Sequence, residues 1–120
     1  CNTGIEVPGI SAGVRHVYQS YVILLPLENA SLRQETIRVL RGMGIETTIG
    51  TYHIPSGRYF RETYGFAPGD FPSTDNVAGR AISLPLFEEI LDEQQAQVIK
   101  ALRMQVSDDH SRHIANQNAQ

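Results

Sequence analysis

No apolar run in this chain approaches the roughly 20 residues that span a bilayer, and the longest, Tyr21 to Leu27, has the length of a buried strand. Basic residues do not gather into a stripe. Arginine is scattered through the first two thirds and the net charge is -3 at pH 7, so the footprint of a nucleic-acid surface is missing. One cysteine, Cys1, excludes an internal disulfide framework and a cysteine-rich metal site. The one lysine, Lys100, falls off the apolar stripe of the last helix, so it is a solvated amine and a poor Schiff-base former. Nucleophile signatures in a usable context are scarce too. The Gly-x-Ser-x-Gly spacing of Gly9-Ile-Ser-Ala-Gly13 falls in the Gly- and Pro-rich opening stretch and not at a strand-to-helix turn, and there is no phosphate-cradling glycine loop before a helix and no Cys beside a His.

What is present fits one small domain: 120 residues, 41% hydrophobic and 19% charged, enough for a core but not for a deep cleft between two domains. Residues 1–14 are rich in Gly and Pro, without period, and read as a linker. A start at Cys1 is compatible with a piece of a longer protein, a processed N-terminus, or a lipid-modified cysteine. Arg15 to Leu25 reads as a strand with large groups on both faces, hence a central one. Ser31 with Gln34 is a capping-box pattern opening a helix that carries Ile37, Leu40 and Met43 on one side. Gly42 and Gly44 offer left-handed positions to end it.

Ile45 to Thr51 alternates β-branched residues at period two, a second strand. Strand, helix and strand in so short a span predict a right-handed crossover, with the two strands parallel and room for a third between them. After the second strand Pro55 to Gly57 make a turn, and Tyr59, Phe60 and Tyr64 fall on one short helix whose aromatics must dock. Pro68-Gly69 sets another turn that Phe66 and Phe71 can pin. Ser73 is placed to cap a helix reaching Arg80. Ala81 to Leu84, closed by Pro85, is a third strand of about four residues. Asp92 with Gln95 caps the last helix, with Val98, Ile99, Leu102 and Val106 as its buried stripe. From Ser107 the chain has almost nothing to bury, and residues 107–120 read as a disordered tail.

A strand leading into an exposed polar turn and an anchored helix is the usual carrier of a binding function. His53, at the strand end beside Tyr52, can donate to an anionic or sugar ligand, or simply cap a turn. His16 sits where it would pack. His110 and His113 have a metal-binding spacing without a third ligand. Glu88, Glu89, Asp92 and Glu93 suit the start of a helix better than an acidic site. From the residues alone, this is a binding or bracing domain without a complete catalytic site.

Four segments taken together carry a family resemblance: Arg15-His-Val-Tyr-Gln-Ser-Tyr-Val-Ile-Leu, Leu40-Arg-Gly-Met-Gly-Ile-Glu-Thr-Thr-Ile-Gly-Thr-Tyr, Tyr59-Phe-Arg-Glu-Thr-Tyr-Gly-Phe-Ala-Pro-Gly-Asp-Phe-Pro and Arg80-Ala-Ile-Ser-Leu-Pro-Leu-Phe. In that order, from about Arg15 to Arg103, they resemble the C-terminal domain of the DegT/DnrJ/EryC1/StrS aminotransferases. The resemblance implies an α+β fold, a small, mostly antiparallel three-stranded sheet covered by helices, over residues 15–106. It implies that the full-length parent uses pyridoxal phosphate to transaminate a nucleotide-linked keto-sugar with an amino donor, in the cytoplasm and as a homodimer. The cofactor, its Schiff-base lysine and most phosphate contacts would belong to a missing N-terminal domain, so no cofactor and no catalytic activity are expected on this chain alone.

Many members of that family carry a His-Tyr pair and then His-x-Gln-Pro after the second strand. Here Ile49-Gly50 and Pro55-Ser-Gly-Arg58 stand at those positions, so the usual ligand-contacting histidine is absent. The loop itself carries over as the substrate site, with Tyr52, His53, Arg58 and Tyr59 as its contacts and Arg58 as a phosphate partner, since a guanidinium forks onto phosphate oxygens. A second reading is a non-catalytic binding or regulatory module of the same fold, lipid-anchored through Cys1.

Overall fold

The structure, a computed structural model, describes residues 3–27 and 31–118. Three strands, β1 (Tyr21–Leu24), β2 (Thr48–Ile49) and β3 (Ala81–Leu84), form one sheet in the order β1-β3-β2. Both pairings are antiparallel, with Ile23 and Ile49 each opposite Ile82. The outer strands are therefore parallel to one another with β3 between them, as the crossover rule predicts. Helix α1 (Leu32–Gly42) makes that crossover. The short helices α2 (Arg58–Tyr64) and α3 (Pro72–Ala78) lie between β2 and β3, and α4 (Asp92–Asn118) follows β3. The α+β architecture is as expected.

The core lies where α1 and α4 cover the sheet. Ile23, Leu25, Leu32, Leu40, Ile82, Val98, Leu102 and Val106 form one buried cluster, each large side chain worth about 1.5–3 kcal/mol of burial. Leu40 and Ile82 have no exposure at all. Gly44 closes α1 with φ +76°, a left-handed turn that glycine adopts without a Cβ penalty. Ser31 occupies the N-cap position of α1 but its side chain makes no cap bond.

Several expectations need correction. The first strand is four residues long instead of eleven, because the His16 ring accepts the Tyr18 N–H at 2.8 Å and Tyr18 adopts φ +47°, a conformation that cannot continue a ladder. It is also an outer strand; β3 is central. Beyond β1, Glu6 forms a single bridge to Leu24, so the stretch read as linker adds a contact to the sheet and places Ile5 against the core. The second strand pairs only through Thr48 and Ile49. Pro72, not Ser73, opens α3, whose N-cap is Phe71 and which ends at Ala78. At α4 the side chain that reaches back is Gln94, accepting the Leu91 N–H at 2.9 Å.

The stretch from Ser107, read as disordered, continues α4 through Asn118. Val106 is its last buried residue before the polar run, and the later turns are sustained by backbone bonds and local ones such as Ser111 Oγ donating to the Ser107 carbonyl at 3.0 Å. The side chains of His110 and His113 lie outside the described residues.

Arg80, which the sequence reading took only as a helix end, cross-links the fold. It is 9% exposed. Its Nε donates to the Leu25 carbonyl at 2.6 Å, one terminal nitrogen donates to Asn76 Oδ1 at 2.9 Å and the other to Glu6. One guanidinium thus joins the N-terminal segment, the end of β1 and α3.

Candidate ligand-binding site after the second strand

The chain leaves the sheet through Gly50, whose N–H donates to the Ala81 carbonyl at 3.0 Å. A Cβ at this position would lie 2.6 Å from Val22 Cγ1 and 3.0 Å from the Ala81 backbone. Only glycine lets the strand pass so close, and this passage aims the residues that follow.

His53 then nucleates a single 3₁₀ turn, Ile54–Ser56. The Ser56 N–H donates to His53 Nδ1 at 3.1 Å, and Ser56 Oγ donates to the His53 carbonyl at 2.8 Å. Because Nδ1 accepts a hydrogen bond, the ring proton sits on Nε2. Nε2 lies 2.5 Å from Asp75 Oδ1 on α3, so the imidazole donates to the carboxylate. Both ring nitrogens are occupied, which leaves no lone pair for general-base work or metal ligation. The histidine is a clasp that fastens the turn to α3.

The clasp borders a cavity of about 420 Å³, lined among others by Arg33, Tyr52, His53, Arg61, Phe66 and Asp75. Topology brings these residues together from α1, the loop, α2, the following turn and α3. The turn is shaped by Asp70, whose Oδ2 accepts the Ala67 N–H at 2.8 Å, and by Gly69 at φ +91°. Phe66 is fixed edge-on to Phe71, with ring centres 4.8 Å apart. Tyr52 is 75% exposed at the cavity mouth.

Of the four residues singled out from sequence, Tyr52 and His53 line this cavity. Arg58 and Tyr59 do not. Arg58 Nε donates to Glu62 Oε1 at 2.8 Å on the surface of α2. Tyr59 is exposed and sits edge-on to Phe60 and Tyr64, so part of the aromatic set stacks on itself and does not enter the core.

Sequence reasoning missed Arg33 and Arg61. They are 28 positions apart on two helices, and only the tertiary fold makes them line one cavity. One terminal nitrogen of Arg33 donates to the Ala78 carbonyl, while its buried Nε has no partner among the described residues. Asp75, the carboxylate lining the cavity, is already engaged by His53. The cavity is therefore electropositive on balance.

The same cavity offers pyridoxal phosphate no amine. Lys100 is exposed on α4, and it lines neither this cavity nor the apolar groove between β1, β3 and α4. The residues of this chain do not fit the covalent attachment of that cofactor.

Comparison with known proteins agrees with this architecture. The chain is 34% identical over 104 residues to dTDP-3-amino-3,4,6-trideoxy-alpha-D-glucose transaminase of Micromonospora megalomicea, covering 83% of this chain and 26% of that protein. It is 28% identical over 102 residues to the spore coat polysaccharide biosynthesis protein SpsC of Bacillus subtilis, covering 83% and 26%. Among solved structures, the aminotransferase TlmJ of Streptoalloteichus hindustanus superposes with a TM-score of 0.71 at 23% identity, over 88% of this chain and 27% of that one. The chain thus spans about a quarter of the length of the relatives it matches. The profile of the DegT/DnrJ/EryC1/StrS aminotransferase family matches residues 2–103, and the chain belongs to that family.

Proposed function

We propose that this chain is the C-terminal domain of a pyridoxal-phosphate-dependent aminotransferase acting on a nucleotide-linked keto-sugar. Residues 15–106 form the domain, and residues 1–14 lead into it from a cofactor-bearing N-terminal domain. Its part is to close the substrate cleft. Tyr52, Arg58 and Tyr59, all exposed, together with the clasped His53, face the nucleotide-sugar, while the amino donor and cofactor are handled by the other domain of a cytoplasmic homodimer. The carrying observation is the family match over residues 2–103 in a chain whose one lysine lies outside the cavity at its candidate site. A cofactor supplies the hard chemistry, and the protein around it supplies binding and orientation; this domain has residues for the second task only. Among the described residues no helix is long and apolar enough to cross a membrane.

That same lack of a cavity lysine also favours a second reading, a non-catalytic binding or regulatory module of this fold. The lipid-anchored form of that reading rests on Cys1, which lies outside the described residues.

One experiment separates the two. The coding sequence is read in frame on both sides, and the whole protein is purified and assayed with pyridoxal phosphate, an amino donor and a panel of nucleotide-linked keto-sugars. The aminotransferase reading expects a lysine-bearing domain, the visible absorbance of bound cofactor and amino transfer by the whole protein, with none from this chain alone. A whole protein without such a domain, or one that transfers no amino group to any of the sugars, overturns it.

A further inference from the structure

We propose that His16 is a proton-sensitive latch at the head of β1. Its Nδ1 accepts the Tyr18 N–H at 2.8 Å, so the ring proton sits on Nε2. Tyr18 is held at φ +47°, and among the described residues every other positive φ belongs to a glycine. A residue with a Cβ stays in that conformation only where its surroundings hold it. What holds Tyr18 is this bond together with the His16 ring, whose centre lies 4.3 Å from its own. The ring contact does not need the Nδ1 lone pair, but the hydrogen bond does. A protonated imidazole donates from both nitrogens and accepts from neither, so the latch is closed while the ring is neutral and opens as falling pH charges it. Among the described residues lining the recess beside His16, the other titratable side chain is Glu6, whose carboxylate accepts from Arg80. Arg15 precedes His16 in the chain, and Tyr21 of β1 lies beyond Tyr18 with ring centres 5.7 Å apart. None of these groups accepts the Tyr18 N–H in place of His16.

Release has a defined destination. The Leu25 N–H donates to the Arg80 carbonyl at 3.1 Å, and Tyr21 stands opposite Leu84 in the same register. Hydrogen-bonded pairs alternate along an antiparallel ladder. Continued upstream, the register therefore sets Ser20 opposite Pro85 at a position where β1 needs no N–H from its partner, and then Gln19 opposite Leu86 as the next bonded pair. Neither Gln19 nor Leu86 makes a backbone hydrogen bond among the described residues. Once Tyr18 is free to take an extended conformation, β1 lengthens by that pair. Leu86 also lines the apolar groove between β1, β3 and α4, so the charge on His16 decides whether the backbone at the rim of that groove is tied to β1. This inference rests on the geometry of this chain and does not require the aminotransferase reading.

The test is an NMR titration of the chain from about pH 8 to about pH 5, following the His16 ring, the Tyr18 amide and the cross-strand contact between the Gln19 and Leu86 amides. In the parent, the Tyr18 amide is expected to shift with the same midpoint as the His16 ring, and the Gln19–Leu86 contact to appear on the acid side. His16→Asn keeps an acceptor for the N–H two residues on, in an Asx turn, but carries no titrating ring; it should stay latched across the range. His16→Ala should show the Gln19–Leu86 contact at both ends. A Tyr18 amide that ignores the His16 midpoint, pH dependence that persists in His16→Asn, or a Gln19–Leu86 contact missing from both the acid parent and His16→Ala overturns the latch. His53 is present in all three proteins, so a shift that it causes is common to them and is told apart from one caused by His16. Because the readout is local to this chain, a negative result leaves the aminotransferase proposal to its own test.

Discussion

The sheet with α1 and α4 and the segment from Tyr52 to Tyr64 are built on different principles. In the first, apolar side chains disappear from water, and one buried guanidinium ties three segments together. In the second, neither the 3₁₀ turn nor α2 buries a single residue. That segment is positioned by a close glycine passage, a histidine clasp and rings that stack on one another. Stability in proteins is local, and regions with few buried contacts open first. The difference teaches how the candidate site is held: a loop with no buried residues in its 3₁₀ turn or in α2 is fastened by local bonds to a scaffold with a buried core.

The sharpest way to break the scaffold is at Arg80. Arg80→Met should cost about 2–4 kcal/mol, because it strips the Leu25 carbonyl, Asn76 and Glu6 of their shared donor; urea unfolding measures it, and a loss below about 1 kcal/mol would show that the cross-link is incidental. Next is the joint between the two regions. Gly50→Ala forces a Cβ to within 2.6 Å of Val22 Cγ1 and 3.0 Å of the Ala81 backbone, and should cost about 1–3 kcal/mol while shifting NMR signals on both sides of the joint.

A smaller effect has the opposite sign. Thr36 is fully buried in α1, and its Oγ1 has no partner among the described residues, so Thr36→Val should stabilise the scaffold by about 1 kcal/mol, since it replaces an unpaired hydroxyl with a methyl group of similar shape. A loss of stability would mean that the hydroxyl is satisfied in solution.

The smallest effect is at the surface pair Glu35–Arg38, 2.6 Å apart on α1. The hydrogen bond from Arg38 holds the Glu35 carboxyl below its usual range and pushes the Arg38 guanidinium further up. A depressed carboxylate contributes stability that is present above its unfolded pKa and lost as pH falls through the folded one; Arg38 remains charged throughout. Thermal unfolding of Glu35→Gln should therefore differ slightly from the parent at neutral pH, and the two should converge in acid.

Much of the scaffold is legible in the sequence. Ala81 to Leu84 and Pro85 define β3 because a short apolar run ended by proline leaves little choice, and Gly44 ends α1 because its conformation suits glycine best. The parallel outer strands follow from crossover handedness. What escaped depends on side chains reaching across the fold. The late start of β1 is caused by the His16 ring and the left-handed Tyr18, and nothing in period-two patterning encodes either. The length of α4 comes from backbone bonds that continue after burial stops. At the site, the Tyr52-His53 pair was readable at the end of a strand, whereas Arg33 and Arg61 enter the cavity only through tertiary packing, and His53 finds Asp75 22 residues away.

The claim that a separately held loop carries the site is tested most directly by residue-resolved hydrogen exchange of the parent and His53→Ala. The account predicts that amides from Ser56 to Tyr64 exchange well before those of Ile23, Leu40 and Ile82, and that the variant speeds the first group, by about 1 kcal/mol of local stability, while leaving the second unchanged. Equal protection in both regions of the parent, or a uniform loss across both in the variant, would contradict it.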